Sequence, residues 1–110
     1  MNTKFQRQPL RIPSGWTVRQ HELLDLDPET LALEDKSWEL FREDLLQLYH
    51  ETWKLVLDVG WNPEAEPTGT FNLTLVKNGD WEKPEAHWSG RSLAALVERI
   101  EAIALRPPRS

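Results

Sequence analysis

No cysteine occurs in this chain of 110 residues, which excludes disulfides, thiolate nucleophiles, zinc ribbons and iron–sulfur clusters and permits a reducing compartment. Glycine is scarce, at five residues, and those five assemble neither a phosphate-binding loop nor a dinucleotide fingerprint. Apolar runs are short, as in Leu55-Val56-Leu57, far below the roughly 20 residues that a membrane-spanning helix needs. Met1 to Gly15 holds no apolar core of the length that a secretory signal requires. The expectation is a cytoplasmic protein without membrane contact.

What is present is the material of one ordinary core. Hydrophobic residues make up 39% of the chain and six of them are tryptophan, a composition that disordered chains do not have. At this length one domain fits and two do not. Charge is distributed unevenly. Residues 1–21 carry Lys4, Arg7, Arg11 and Arg19 and no acid, whereas residues 22–66 carry 13 acids against Lys36, Arg42 and Lys54. Such an acidic middle disfavours a nucleic-acid backbone as ligand and favours a basic protein partner, against the plainer role of a solvated surface.

Periodicity divides the chain. Residues 1–15 mix glutamine, proline and basic residues without a sustained period and are expected as a flexible basic arm, with residues 16–106 forming a single domain and 107–110 a tail. Trp16-Thr17-Val18 opens a first strand reaching toward Leu26. Asp27-Pro28-Glu29 has the chemistry of a helix start and predicts one short turn to Leu33. Trp38, Phe41, Leu45, Leu48 and Tyr49 recur at steps of three and four, which predicts a helix over 38–50 capped by Ser37. Trp53, Leu55, Leu57, Val59 and Trp61 alternate with smaller or polar residues and predict a strand. Pro63, Pro67 and Gly69 then force a loop, after which Phe71, Leu73 and Leu75 resume the alternation as an antiparallel partner. Asn78-Gly79 predicts a tight turn, followed by a short strand between Trp81 and Trp88 that Pro84 confines to an edge. Ser92 caps a closing helix whose stripe is Leu93, Leu96, Val97, Ile100, Ile103 and Ala104, stopped by Pro107-Pro108. The expected fold is an α+β two-layer sandwich, an antiparallel sheet of three or four strands with two main helices on one face, in the order β-α-β-β-(β)-α.

No catalytic, cofactor or metal motif emerges, and no cofactor is expected. His50-Glu51 begins like a zinc-protease helix, but Lys54 stands where the second histidine belongs, so His21, His50 and His87 are taken as surface residues. Ser14-Gly15 and Ser89-Gly90 lack the nucleophile elbow. Asn72-Leu73-Thr74 matches a glycosylation acceptor inside a predicted strand, and is taken as accidental. The strongest local chemistry is acidic: Asp58, Glu64 and Glu66 surround the end of the strand at Trp61, while Glu39, Glu43 and Asp44 lie on the predicted helix. Trp61, Trp81 and Trp88 sit close to predicted turns, and exposed tryptophan beside acid is the composition of a binding surface, against the plainer role of core residues sealing the end of the sheet.

Leu57-Asp58-Val59-Gly60-Trp61-Asn62-Pro63, followed by Gly69-Thr70-Phe71-Asn72-Leu73 and Asp80-Trp81, resembles small bacterial immunity proteins of polymorphic-toxin systems. The resemblance covers about half the chain and implies a toxin-facing acidic surface, with no catalytic residue to carry over. The expected function is therefore a cytoplasmic protein-binding module of the immunity type, docking a basic partner through Glu39, Glu43, Asp44, Asp58, Trp61, Glu64, Glu66 and Trp81. Two alternatives stand beside it: a small enzyme or ligand-binding domain using the carboxylates near Trp61, and a structural or oligomeric accessory protein.

Overall fold

The structure, a computed structural model, describes residues 5–107. Five strands pair in sequence order into one antiparallel sheet: β1 (Trp16–His21), β2 (Leu46–His50), β3 (Leu55–Asn62), β4 (Thr70–Lys77) and β5 (Ala86–Gly90). One helix follows, α1 (Leu93–Leu105), and a single 3-10 turn, Lys36–Leu40, lies in the long connection between β1 and β2. The molecule is thus mostly sheet, and the expected pair of helices on three or four strands is overturned.

The error lies in residues 38–50. Trp38, Phe41, Leu45 and Leu48 do recur at helical spacing, yet that stripe leaves out Leu46, which is completely buried. Leu46, Leu48 and His50 face the core while Gln47 and Tyr49 are half-buried on the other side. The period of two wins because β2 is paired on both edges, Leu48 opposite Val18 of β1 and opposite Leu57 of β3. A buried central strand repays local propensity through cross-strand packing. The 3-10 turn starts two residues earlier than expected, with Asp35 in place of Ser37 as cap, its carboxylate accepting from the Ser37 N–H at 2.8 Å. Asp27 acts in the same way on the Glu29 N–H at 2.9 Å, but closes a turn only.

The clearest periodicities hold, except that Trp53, expected as the first residue of its strand, lies in the turn between β2 and β3. Leu55, Leu57, Val59 and Trp61 of β3 are all buried and lie opposite Lys77, Leu75, Leu73 and Phe71 of β4. Asn78 and Gly79 close the turn after β4 with φ of 55° and 70°, both in the left-handed region that this residue pair tolerates. Ser92 caps α1 by accepting from the Ala95 N–H at 3.1 Å, and Leu93, Leu96, Ile100 and Ala104 are the helix's buried residues. The core joins α1, the core face of the sheet and the aromatic residues Trp38 and Phe41. Among the described residues no helix occupies the opposite face.

Residues 1–4 and 108–110, parts of the expected arm and tail, lie outside the described residues. From Phe5 to Ile12 the chain lies against the body. The Gln8 N–H donates to Leu23 O and the Asp25 N–H to Gln6 O, both at 2.8 Å, and the Arg11 N–H donates to a Glu101 carboxylate oxygen at 2.8 Å. Phe5, Leu10 and Ile12 pack on the core. Two histidines are not on the surface as expected. His50 is buried between Trp16, edge-on at 5.1 Å, and Trp53, stacked at 6.1 Å. His21 is partly buried, with Nε2 bonded to Gln8 O at 3.0 Å.

Strand and helix assign Leu46 opposite fates. Leu46→Ala is expected to cost ~2–5 kcal/mol in urea unfolding, as much as Leu57→Ala, because both remove a fully buried side chain. A helix over 38–50 would leave Leu46 off its stripe and the substitution nearly neutral.

Candidate partner-binding surface

The acidic residues are organised by a backbone irregularity at one end of the sheet. Before β2 the chain runs alongside the end of β3, the Trp61 N–H donating to Arg42 O at 2.8 Å and the Leu45 N–H to Val59 O at 2.9 Å. On one side four residues, Arg42 to Leu45, span what three, Val59 to Trp61, cover on the other, so Glu43 and Asp44 bulge outward over Gly60. The contact is so close that a Cβ on Gly60 would overlap the backbone oxygen of Glu43. Glycine is required there by space alone.

The following loop is fastened to the same bulge. The Ala65 N–H donates to Phe41 O at 2.7 Å, and a Glu64 carboxylate oxygen accepts from the Glu43 N–H at 3.0 Å. The Trp61 indole N–H donates to Glu66 O at 2.9 Å, and Nη1 of Arg91 donates to Pro67 O at 2.7 Å and Gly69 O at 2.6 Å. The Arg91 guanidinium carbon also lies 5.4 Å from the centre of the Trp61 ring, within cation–π range. Residues 63–69 therefore form a pinned platform, although their prolines and charge suggested a free loop.

Asp58 stands two residues before Gly60 on the helix-free face, opposite Gln47 of β2 and Thr74 of β4. Half-buried, its carboxyl is raised above the ordinary carboxylate range, chiefly by desolvation, then by the nearby Asp44 carboxylate, with a Gln47 hydrogen bond opposing both. On the β1 side Nε2 of Gln20 donates to a Glu22 carboxylate oxygen at 2.7 Å and to Asp44 O at 3.3 Å, which adds a further acid to the same end.

The eight expected site residues thus separate. Glu43, Asp44, Asp58 and Glu64 come together, and the exposed Glu66 lies on the platform beside them. Glu39 is exposed on the 3-10 turn. Trp61 is fully buried and cannot touch a partner; it holds the platform from beneath. Trp81 is 51% exposed but follows β4, whose end at Lys77 is seven residues from the Thr70 end near the acids, roughly 23 Å along an extended strand. Sequence reasoning missed Gln47 and Gly60; the only signal for Gly60 was a glycine interrupting a strand of large residues.

One groove of about 400 Å³, lined by Arg7, Glu22, Leu40 and Arg42, lies at this end, and two others lie elsewhere. One of about 540 Å³ runs between Arg11-Ile12-Pro13 and the end of α1 at Glu101, Ala102 and Leu105, and one of about 410 Å³ lies between residues 7–12 and β1–β2. Neither is lined by Asp44, Asp58, Glu64 or Glu66. Among the described residues no group of three histidine, aspartate or glutamate side chains could hold a metal ion, and no helix is long and apolar enough to cross a membrane. Comparison with protein-family models, curated proteins and solved structures finds no match to this chain.

Two outcomes follow from the geometry. Gly60→Ala should destabilise by ~3 kcal/mol, the scale of an overpacked interior, and loosen the Glu43–Asp44 bulge. For Asp58, a folded-state pKa above the unfolded 3.8 means that its ionised form opposes folding. The opposition is in force above the folded pKa and fades as pH falls through it toward the unfolded value. Asp58→Asn should therefore raise the thermal midpoint at pH 7 and lose that advantage below about pH 4, where both side chains are neutral.

Proposed function

We propose that the chain is a protein-binding module that acts by occupancy, docking a basic surface of its partner on the end of the sheet formed by Glu43, Asp44, Asp58 and Glu64. The observation that carries this reading is that these carboxylates are held together by backbone pairing, the platform and Gly60. Burial, and after it the Asp44 carboxylate, raise the Asp58 carboxyl, and a lysine or arginine from a partner would favour its ionised form. Retaining an unfavourable carboxylate pair on an otherwise well-packed strand is the pattern of a surface kept for binding at some cost in stability. The likeness of residues 57–63, 69–73 and 80–81 to immunity proteins of polymorphic-toxin systems supplies the partner class, a basic toxin domain, and with it a cytoplasmic address. Exposed charges steer association over roughly 8 Å at physiological ionic strength, so salt governs the on-rate.

The test begins with affinity capture from native lysate at low and high salt, then measures binding kinetics of the retained protein. Glu43→Lys with Asp44→Lys should slow association at least tenfold, with a smaller effect on dissociation. Folding should survive, because both side chains are exposed and a lysine beside Asp58 removes a repulsion. Association rates that stay equal for wild type and variant across a salt series would overturn the proposal.

A further inference from the structure

The groove of about 400 Å³ at the acidic end has a character of its own. Phe5, Arg7, Glu22, Leu24, Leu40 and Arg42 line it, and its size falls within the range of small-molecule sites. Three separate stretches of chain supply the walls, and each is pinned through its backbone. Arg7 bridges Leu24, the Glu22 N–H donates to Leu45 O at 2.6 Å, and Arg42 O accepts from the Trp61 N–H at 2.8 Å. Neither guanidinium has a hydrogen bond or ion pair among the described residues, while the Glu22 carboxylate accepts from Nε2 of Gln20 at 2.7 Å. Two unpaired cations and one acid give the lining a net charge of +1, beside three half-buried apolar side chains and no hydroxyl or amide side chain. Leu24 and Leu40 also border a void of about 10 Å³ behind the groove, lined only by leucine and phenylalanine. Both therefore have room to shift toward the core, which a fully packed interior would deny them.

We propose that this groove binds a medium-chain fatty acid, its carboxylate held by Arg7 and Arg42 and its chain lying along Phe5, Leu24 and Leu40. Charge complementarity selects the head group. A guanidinium presents paired N–H donors that match a carboxylate, and two unpaired ones on the same recess are both stabilised by a single anion. Glu22 sets the limit. A monoanion brings the lining to neutrality, whereas a phosphate dianion would overshoot it and meet the acid as well as the bases. The apolar lining selects the tail. A peptide carboxyl terminus would bring amide groups that find no hydroxyl or amide partner on these six side chains, and unpaired polar groups cost affinity. A bare hydrocarbon chain asks for none, and Leu24 and Leu40 can yield toward the void behind them as it enters. None of Glu43, Asp44, Asp58 and Glu64 lines this groove, so the inference stands or falls independently of the docking of a basic partner.

Titration of isotopically labelled protein with octanoate, followed through backbone amide resonances, tests the site. The shifts should saturate with a Kd below ~10 mM, the weak end for a ligand of this size, and should be largest around Leu24, Leu40 and Arg42. Each methylene buried is worth about a fourfold change in affinity. Butanoate should therefore bind more weakly than octanoate by about tenfold or more, allowing for incomplete burial of the chain. Octanol, which keeps the chain and lacks the charge, should also bind more weakly. Arg7→Gln and Arg42→Gln should each weaken octanoate roughly tenfold, the scale of a hydrogen bond to a charged group, whereas Glu22→Gln should tighten it by removing a like charge. All three side chains are exposed, so the variants should fold with the thermal midpoint of the wild type. Shifts that do not saturate, butanoate or octanol binding as tightly as octanoate, or full affinity in both arginine variants would overturn the proposal.

Discussion

The burial of Trp61 is the constraint on which the rest depends. Its ring lies 4.7 Å from Phe41, 5.0 Å from Phe71 and 5.9 Å from Trp38, so one side chain joins the 3-10 turn, β3 and β4 into a single aromatic cluster. Its indole N–H and its backbone N–H are both spent on segments outside the sheet, on Glu66 O and Arg42 O. A buried indole without an acceptor would be costly, and the acceptor here belongs to the loop that carries Glu64 and Glu66. The same residue therefore fixes the core from within and the acidic surface from beneath, while Arg91, on the way into α1, holds the loop from its far side.

That arrangement gives the surface charge its physical character. Carboxylates on mobile side chains at the edge of a solvated loop are screened and contribute little. Asp44 and Asp58 are instead held close enough for one to raise the other, on a half-buried strand position where solvent relieves them incompletely. The platform prevents the backbone from relaxing away, because Glu43 lies directly on Gly60 and Glu64 accepts its N–H. A partner cation would meet a preorganised group of acids and lose less to ordering than it would against a flexible cluster.

The sequence disclosed the elements in which one period alone fits the residues. The alternation from Leu55 to Trp61, the turn at Asn78-Gly79 and the cap at Ser92 all rest on local chemistry, and all are present. Between Trp38 and His50 two periods fit, and what separates them is pairing with Val18 and Leu57, residues distant in the chain. Local reasoning cannot see that pairing; only Leu46, stranded off the helical stripe, argued for the strand. The acids near Trp61 were legible as a composition, but not as a cluster, since the bulge that gathers them is set by contacts between residues 42–45 and 59–61. Trp61 itself was misjudged by its place near a turn: the strand end that exposes a backbone does not expose a side chain when another segment folds across it. Segment 5–12 read as a flexible arm because part of its hold is through backbone groups, with Phe5, Leu10 and Ile12 too few to make a period.

The central claim is that the acidic end belongs to the rigid sheet. Amide hydrogen exchange, followed residue by residue on isotopically labelled protein, tests it most directly. The account predicts that the amides of Leu45, Trp61 and Ala65, which donate to Val59, Arg42 and Phe41, exchange about as slowly as those at the centre of β3, reporting the same cooperative opening. Exchange at those three positions as fast as in the open turn at Gly79 would contradict it.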